Sequence, residues 1–158
     1  MRVLDIIPGT TVDGPGLRTS IYFAGCLHDC PGCHNPQSHD PAGGREVSED
    51  ELMARIEEED FDVTFTGGDP MFQARELLSL AKRIHASGRT IWLYTGYTYE
   101  EVYANEEMKA LLPYAEVVVD GRFVAGLRDT KLRFRGSSNQ RLVVVADSTP
   151  DHIVEYQD

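Results

Sequence analysis

Short apolar runs alternate with amphipathic stretches along most of this chain. The runs predict strands at residues 3–7, 19–24 (TSIYFA), 61–66 (FDVTFT), 90–95 (TIWLYT), 115–119 and 142–146 (LVVVA). Between several of them the apolar positions recur at helical spacing. Leu52, Met53 and Ile56 give one helix its apolar face, behind a capping box at Ser48 and Glu51. Phe72, Leu77, Leu80, Ala81 and Ile84 form a second stripe, closed by Gly88. Thr98 with Glu101 offers another capping box, and Asn105 caps a further helical piece carrying Met108, Leu111 and Leu112. Near-continuous apolar strands suit burial on both faces, so the pattern predicts an α/β fold with a parallel sheet and crossover helices. With 158 residues the chain is expected to form a single domain, 1–158. It is too short for a complete eightfold β/α barrel, which takes about 250 residues.

The unusual residues fall at the strand ends. A cysteine-bearing loop, 25–36, follows the strand at 19–24. Gly67-Gly68-Asp69-Pro70 follows the strand at 61–66, Tyr94-Thr95-Gly96 closes the next, and Asp120-Gly121 closes the one after. Parallel β/α folds build their sites at the C-terminal ends of their strands, so these four groups are expected to converge. Trp92 and Tyr94 are two apart on one strand and therefore share a face.

The loop holds every cysteine in the chain: Cys26, Cys30 and Cys33. An odd number cannot pair completely within the chain, so a disulfide framework explains them poorly. Three thiolates with no fourth suit a metal centre with one open position, such as an iron–sulfur cluster with one iron left to bind something else. A Cys₃His zinc site using His28 or His34 is a competing reading. A redox pair at Cys30 and Cys33 would leave Cys26 unexplained. The Gly-Gly pair permits close backbone approach to a ligand, but alone it equally marks a tight turn into a helix, with Pro70 in the first helical turn.

Charge narrows the partners. A formal net charge of −11 argues against non-specific nucleic-acid binding, which depends on cationic side chains. No stretch approaches membrane-spanning length, the start of the chain lacks a signal-peptide pattern, and clustered unpaired cysteines fit a reducing cytoplasm.

Cys-x₃-Cys-x₂-Cys followed by a strand ending in Gly-Gly-Asp-Pro resembles the radical S-adenosylmethionine superfamily. More narrowly, the chain resembles the activating enzymes of anaerobic (class III) ribonucleoside-triphosphate reductase. The matching segments are VDGPGLR (12–18), GCLHDCPGCHNP (25–36), TGGDP (66–70), WLYTGY (92–97), VDGRFV (119–124) and RGSSNQR (135–141), in the family's order and over most of the chain. A related group, the pyruvate formate-lyase activators, shares DGPG and CHN but has longer chains.

The resemblance implies a partial parallel β/α barrel and an oxidoreductase that cleaves S-adenosylmethionine reductively at a [4Fe–4S] cluster. The resulting 5′-deoxyadenosyl radical would remove a Cα hydrogen from a glycine of the partner reductase. Cys26, Cys30 and Cys33 would each hold one iron, and Gly67 and Gly68 would offer backbone groups to the methionyl amine. Asp69 would shape that loop or accept a hydrogen bond, and Asn35 matches the Cys-x-Asn pattern of close relatives. Gly32 stands where the superfamily often has an aromatic residue. Thr95 and Asp120 would approach the ribose or carboxylate side of the ligand. Asp13, Gly14 and Arg18 would border the place where the substrate backbone arrives, although Asp13 to Gly16 reads equally well as a turn. Flavodoxin or ferredoxin is the expected electron donor. No side chain is assigned a catalytic role, because the cofactor carries the chemistry. A radical enzyme acting on a small molecule and a non-catalytic zinc module remain the competing classes.

Overall fold

The structure, a computed structural model, describes residues 1–26, 28 and 39–157. Seven strands form one mixed sheet in the order β3-β1-β2-β4-β5-β6-β7. In chain order these are β1 (Arg2–Thr10), β2 (Arg18–Phe23), β3 (Arg45–Glu46), β4 (Asp62–Gly67), β5 (Ile91–Tyr94), β6 (Val117–Asp120) and β7 (Arg141–Val144). The helices are α1 (Glu49–Glu59), α2 (Ala74–Ala86), α3 (Tyr99–Tyr103) and α4 (Glu106–Lys109).

The central strands β2, β4, β5 and β6 are parallel, as their apolar runs predict. The expectation of a parallel sheet fails at the edges. β1 runs antiparallel to β2, β3 antiparallel to β1, and β7 antiparallel to β6. The connections explain this. A short turn joins β1 to β2, and no α-helix lies between β6 and β7, whereas a parallel neighbour needs a crossover. A second correction concerns Phe72. Asp69 caps a 3₁₀ turn at Pro70–Gln73, so α2 starts only at Ala74 and Phe72 falls off its apolar stripe, half-exposed.

Capping follows the sequence closely. The Ser48 hydroxyl accepts from the Glu51 amide, although the Glu51 side chain pairs with Arg45 instead of closing the box. At α3 both halves of the Thr98–Glu101 box form, and the Asn105 side chain accepts from the Met108 amide at α4.

The two faces of the sheet differ. Ile21, Phe65, Leu93 and Val118 belong to a large core shared with Leu52 and Ile56 of α1, Leu77 and Leu80 of α2, and Val102 of α3. Trp92, Val117, Val119 and Leu142 belong to a second cluster covered by Phe134 and Tyr156, with Tyr94 packed against it. Trp92 and Tyr94 do share a face. Phe134 and Tyr156 meet the Trp92 ring edge-on, at centroid distances of 5.2 and 5.1 Å. Helices thus cover one face and loops the other. Among the described residues, no helix is long and apolar enough to cross a membrane.

Candidate metal and cofactor site

The four strand ends meet at one cavity of about 190 Å³. Cys26 lies on its wall beyond β2, Gly67 and Gly68 beyond β4, Thr95 and Gly96 beyond β5, and Gly121 beyond β6. Cys30, Cys33 and Asn35, with His34, lie outside the described residues. Among the described residues no group of three or more His, Cys, Asp or Glu could hold a metal ion.

The Gly-Gly turn is built by close backbone approach. Gly67 has φ 111°, and a Cβ there would sit 2.3 Å from the Phe23 amide nitrogen of the paired strand. The Gly68 amide donates to the Phe23 carbonyl at 2.9 Å, and the Asp69 amide donates to the Gly25 carbonyl at 2.7 Å. These two N–H groups are used in stitching the turn to the start of the cysteine loop. What the turn can offer a ligand is therefore carbonyl oxygen, the polarity an ammonium group requires.

Asp69 is buried and joins three loops. Its Oδ1 accepts from the Met71 amide at 2.9 Å. Its Oδ2 accepts from the Thr95 hydroxyl at 3.0 Å and the Gly96 amide at 2.9 Å, and meets His28 Nε2 at 2.7 Å. The His28 side chain, only 4% exposed, is held from its other side, where Arg122 Nε donates to Nδ1 at 3.2 Å. An arginine can only donate, so Nδ1 is the acceptor and Nε2–H donates to Asp69. Tyr97 packs edge-on against the ring at 4.5 Å. A Cβ on Gly96 would lie 2.4 Å from the imidazole, so the absence of a side chain there seats His28. With both ring nitrogens committed, His28 is poorly placed to complete a Cys₃His zinc set.

The other predicted positions divide. Thr95 is buried on the cavity wall, and its hydroxyl also accepts from the Tyr97 amide at 3.1 Å. Asp120 is fully buried and its oxygens are used within the protein, accepting from the Tyr99 amide at 2.7 Å, the Arg141 amide at 3.1 Å and the Arg141 guanidinium. The bond to Asp120, and next that to Glu100, holds Arg141 above the ordinary arginine range. Gly121, the next residue, is the one that reaches the cavity.

Asp13, Gly14 and Arg18 do not line this cavity. Asp13 and Gly14 belong to the turn that folds onto the loop-covered face of the sheet, and Arg18 opens β2 beneath it. Asp13 Oδ2 accepts from the Ser20 hydroxyl at 3.0 Å and the Tyr22 hydroxyl at 3.1 Å. Burial, then Asp13, pushes Tyr22 up to about 12, and the same two causes raise Tyr94. A Cβ on Gly14 would lie 2.8 Å from the Arg18 side chain. Arg18 is buried, and burial lowers its pKa. It donates to Pro15 O at 3.2 Å, Val63 O at 2.9 Å, Thr64 Oγ1 at 3.0 Å, and both oxygens of Thr90.

The sequence offers His28 only as a ligand in the competing zinc set and gives Arg122 no role. Their link spans 94 residues of chain and has no local signature. Phe123, Gly136 and Gln140 also line the cavity, and only the matching segments around them pointed there.

Residues 12–143 match the family described as a 4Fe-4S single cluster domain. Three similar proteins are each named anaerobic ribonucleoside-triphosphate reductase-activating protein. The one from Salmonella typhimurium is 35% identical over 150 residues, covering 89% of this chain and 96% of the relative. That from Vibrio cholerae is 36% identical over 143 residues, covering 84% and 91%. That from Enterobacteria phage T4 is 36% identical over 155 residues, covering 93% and 96%. Among solved structures, QueE from Escherichia coli superposes with a TM-score of 0.50 at 20% identity, covering 61% of this chain and 52% of that one, a likeness of fold alone.

Proposed function

This chain belongs to the anaerobic ribonucleoside-triphosphate reductase-activating proteins, and on that footing we propose that it raises a glycyl radical on such a reductase. The observation that carries the reading is the meeting of four strand ends on one cavity that has Cys26 and the Gly67-Gly68 turn on its wall. When bound, a [4Fe–4S] cluster and S-adenosylmethionine would supply the chemistry, a one-electron reductive cleavage of the sulfonium that leads to removal of a Cα hydrogen from a glycine.

The chain's own residues bind, orient and shield. Cys26, with Cys30 and Cys33, would hold three irons and leave the fourth open. Gly67 and Gly68 would offer backbone groups to the methionyl amine, and Thr95 lies on the wall beside them. Asn35 is the further candidate for a ligand contact. Asp69 keeps the cysteine loop and the Gly-Gly turn in fixed relation through His28. Asp120 acts by fixing the start of α3 and the strand end before Gly121. Asp13 and Gly14 border the path of a substrate backbone on the loop-covered face, and Arg18 holds that turn from beneath. The mixed sheet is read as a partial β/α barrel, residues 1–158 as one unit, and the reductant as a flavodoxin or ferredoxin. A glycine is an accessible target because nothing projects from its Cα.

Anaerobic reconstitution with iron and sulfide tests the reading. The expected result is a reduced-cluster paramagnetic signal that changes on adding S-adenosylmethionine, formation of 5′-deoxyadenosine, and a glycyl radical on added reductase. Stoichiometric zinc in native protein, with no cluster and no cleavage, would overturn it.

A further inference from the structure

The charge of this chain is placed unevenly. Between residues 121 and 141 stand Arg122, Arg128, Lys131, Arg133, Arg135 and Arg141 against Asp129 alone, a local charge of +5 in a chain of −11. The structure makes this segment a pinned loop. Arg128 bridges to Ser137, the Ser138 amide donates to the Leu127 carbonyl at 2.9 Å, and the Asp129 amide to the Gly136 carbonyl at 3.3 Å. Phe134 anchors the loop on Trp92, and its carbonyl accepts from the Tyr94 hydroxyl at 2.5 Å. The same loop supplies Phe123, Gly136 and Gln140 to the cavity wall.

Arg141 faces Asp120 and Glu100, Arg135 faces Gln140 and Glu155, and Arg122 faces His28 and Glu101. Arg128 and Lys131 are exposed, as are Val124 and Leu127, and the exposed Arg133 lies over the Phe134 ring at 4.6 Å. Arginine is among the residues enriched at protein–protein interfaces, and Val124 and Leu127 add apolar surface beside it. The acidity of the rest of the chain opposes a nucleic-acid partner.

We propose that the exposed face of residues 124–133 docks an acidic stretch of the substrate protein, the polypeptide that carries the target glycine. The proposal rests on the function proposed above. The substrate protein is favoured over an electron donor because the residues flanking this face, Phe123 on one side and Gly136 and Gln140 on the other, line the cavity. A polypeptide that inserts a glycine there passes beside this face, whereas a donor needs proximity to the cluster and no passage into the cavity. A cationic face in an acidic protein also steers an acidic partner into one orientation and repels approach elsewhere.

The test compares the full-length, reconstituted protein with the double variant Arg128→Glu, Lys131→Glu. Affinity for purified reductase is measured anaerobically from about 50 to about 300 mM salt. The unmodified protein should bind less tightly as salt rises. The variant should bind at least about tenfold more weakly at low salt and lose most of that dependence. Dithionite-driven cleavage of S-adenosylmethionine without the reductase should be unchanged. Equal affinity and equal salt slope in the two proteins would overturn the proposal. So would a defect seen only when a flavodoxin replaces dithionite, which would assign the face to the donor. Should the reversed charges impair folding, the pair Arg128→Gln, Lys131→Gln gives the same comparison. Binding is read without turnover, so a failure of the radical chemistry would be seen separately in the cleavage assay.

Discussion

Asp69→Asn puts the loop-joining carboxylate to a direct test. The parent side chain answers four donors: the Met71 amide on Oδ1, and His28 Nε2, the Thr95 hydroxyl and the Gly96 amide on Oδ2. An asparagine can sit two ways. With its NH₂ in place of Oδ2, three donors face a donor. With its NH₂ in place of Oδ1, only the Met71 amide does, and that orientation is the cheaper one. It still leaves a buried backbone N–H unanswered, at about 1–3 kcal/mol, and turns three charge-assisted bonds into neutral ones at about 1 kcal/mol each. Because the four bonds share one group they are not additive, and the expected loss is about 3–5 kcal/mol. At a chain of this size that lowers the melting temperature by roughly 6–20 °C. Far-ultraviolet circular dichroism of anaerobic, metal-free protein reads it without any contribution from a cluster. Thr95→Val, which removes one of the four bonds and the acceptor for Tyr97, is the internal scale at about 1–2 kcal/mol. An Asp69→Asn loss no greater than that of Thr95→Val would refute the reasoning, because the carboxylate would then not be what joins the loops.

Two further outcomes follow from groups on the loop-covered face. Arg18→Leu should cost about 3 kcal/mol or more in chemical denaturation, since it removes the charge-assisted bonds from the buried guanidinium to Pro15, Val63, Thr64 and Thr90 that tie the turn to the sheet, while reductase affinity of the folded protein stays within about twofold; a large affinity loss without a stability loss would return Arg18 to the substrate path. Tyr22 has its native pKa raised to about 12, so the folded chain keeps a proton that the unfolded chain releases near pH 10. Its contribution to stability is intact below about pH 10 and declines as the pH rises toward about 12. Stability measured against pH should therefore fall less steeply for Tyr22→Phe than for the parent across that window, with the slope due to Tyr94 remaining; equal slopes would contradict the assignment.

How much of this was legible depended on whether the information was local. The apolar runs located the central strands, and Thr98 with Glu101 located a helix start, because burial on both faces and capping are written in neighbouring residues. Strand direction at the edges was not, since LVVVA reads the same beside a parallel or an antiparallel neighbour, and only the absence of a crossover helix decides between them. The convergence of Cys26, Gly67, Thr95 and Gly121 followed from strand order alone. The fate of a polar residue at a strand end did not. Asp120 and Arg18 have the residue types of ligand contacts, yet both are used up by partners distant in sequence. The bracing role of His28 was not legible because Asp69 and Arg122, which fix it, lie 41 and 94 residues away.

These long-range bonds have a common physical cause. The segment from Cys26 to Pro36 contains glycine, proline, asparagine, aspartate, histidine and cysteine, with Leu27 its one large aliphatic residue. A loop of that composition buries too little apolar surface to be held by hydrophobic packing. Position must come from directional contacts instead. The described part has them: the Cys26 amide donates to the His39 carbonyl at 3.3 Å, the Gly25 carbonyl accepts from the Asp69 amide, and His28 is gripped from both sides. Hydrogen bonds in a site shielded from water are stronger and angularly more restrictive than packing contacts. If Cys26 is to meet an iron beside the Gly-Gly turn, as proposed, such bonds would place its thiolate better than an adaptable core. The cost is that each bond has a buried partner that cannot be left unanswered, which is why Asp69, a residue with no chemical step assigned to it, should be among the least replaceable in the site.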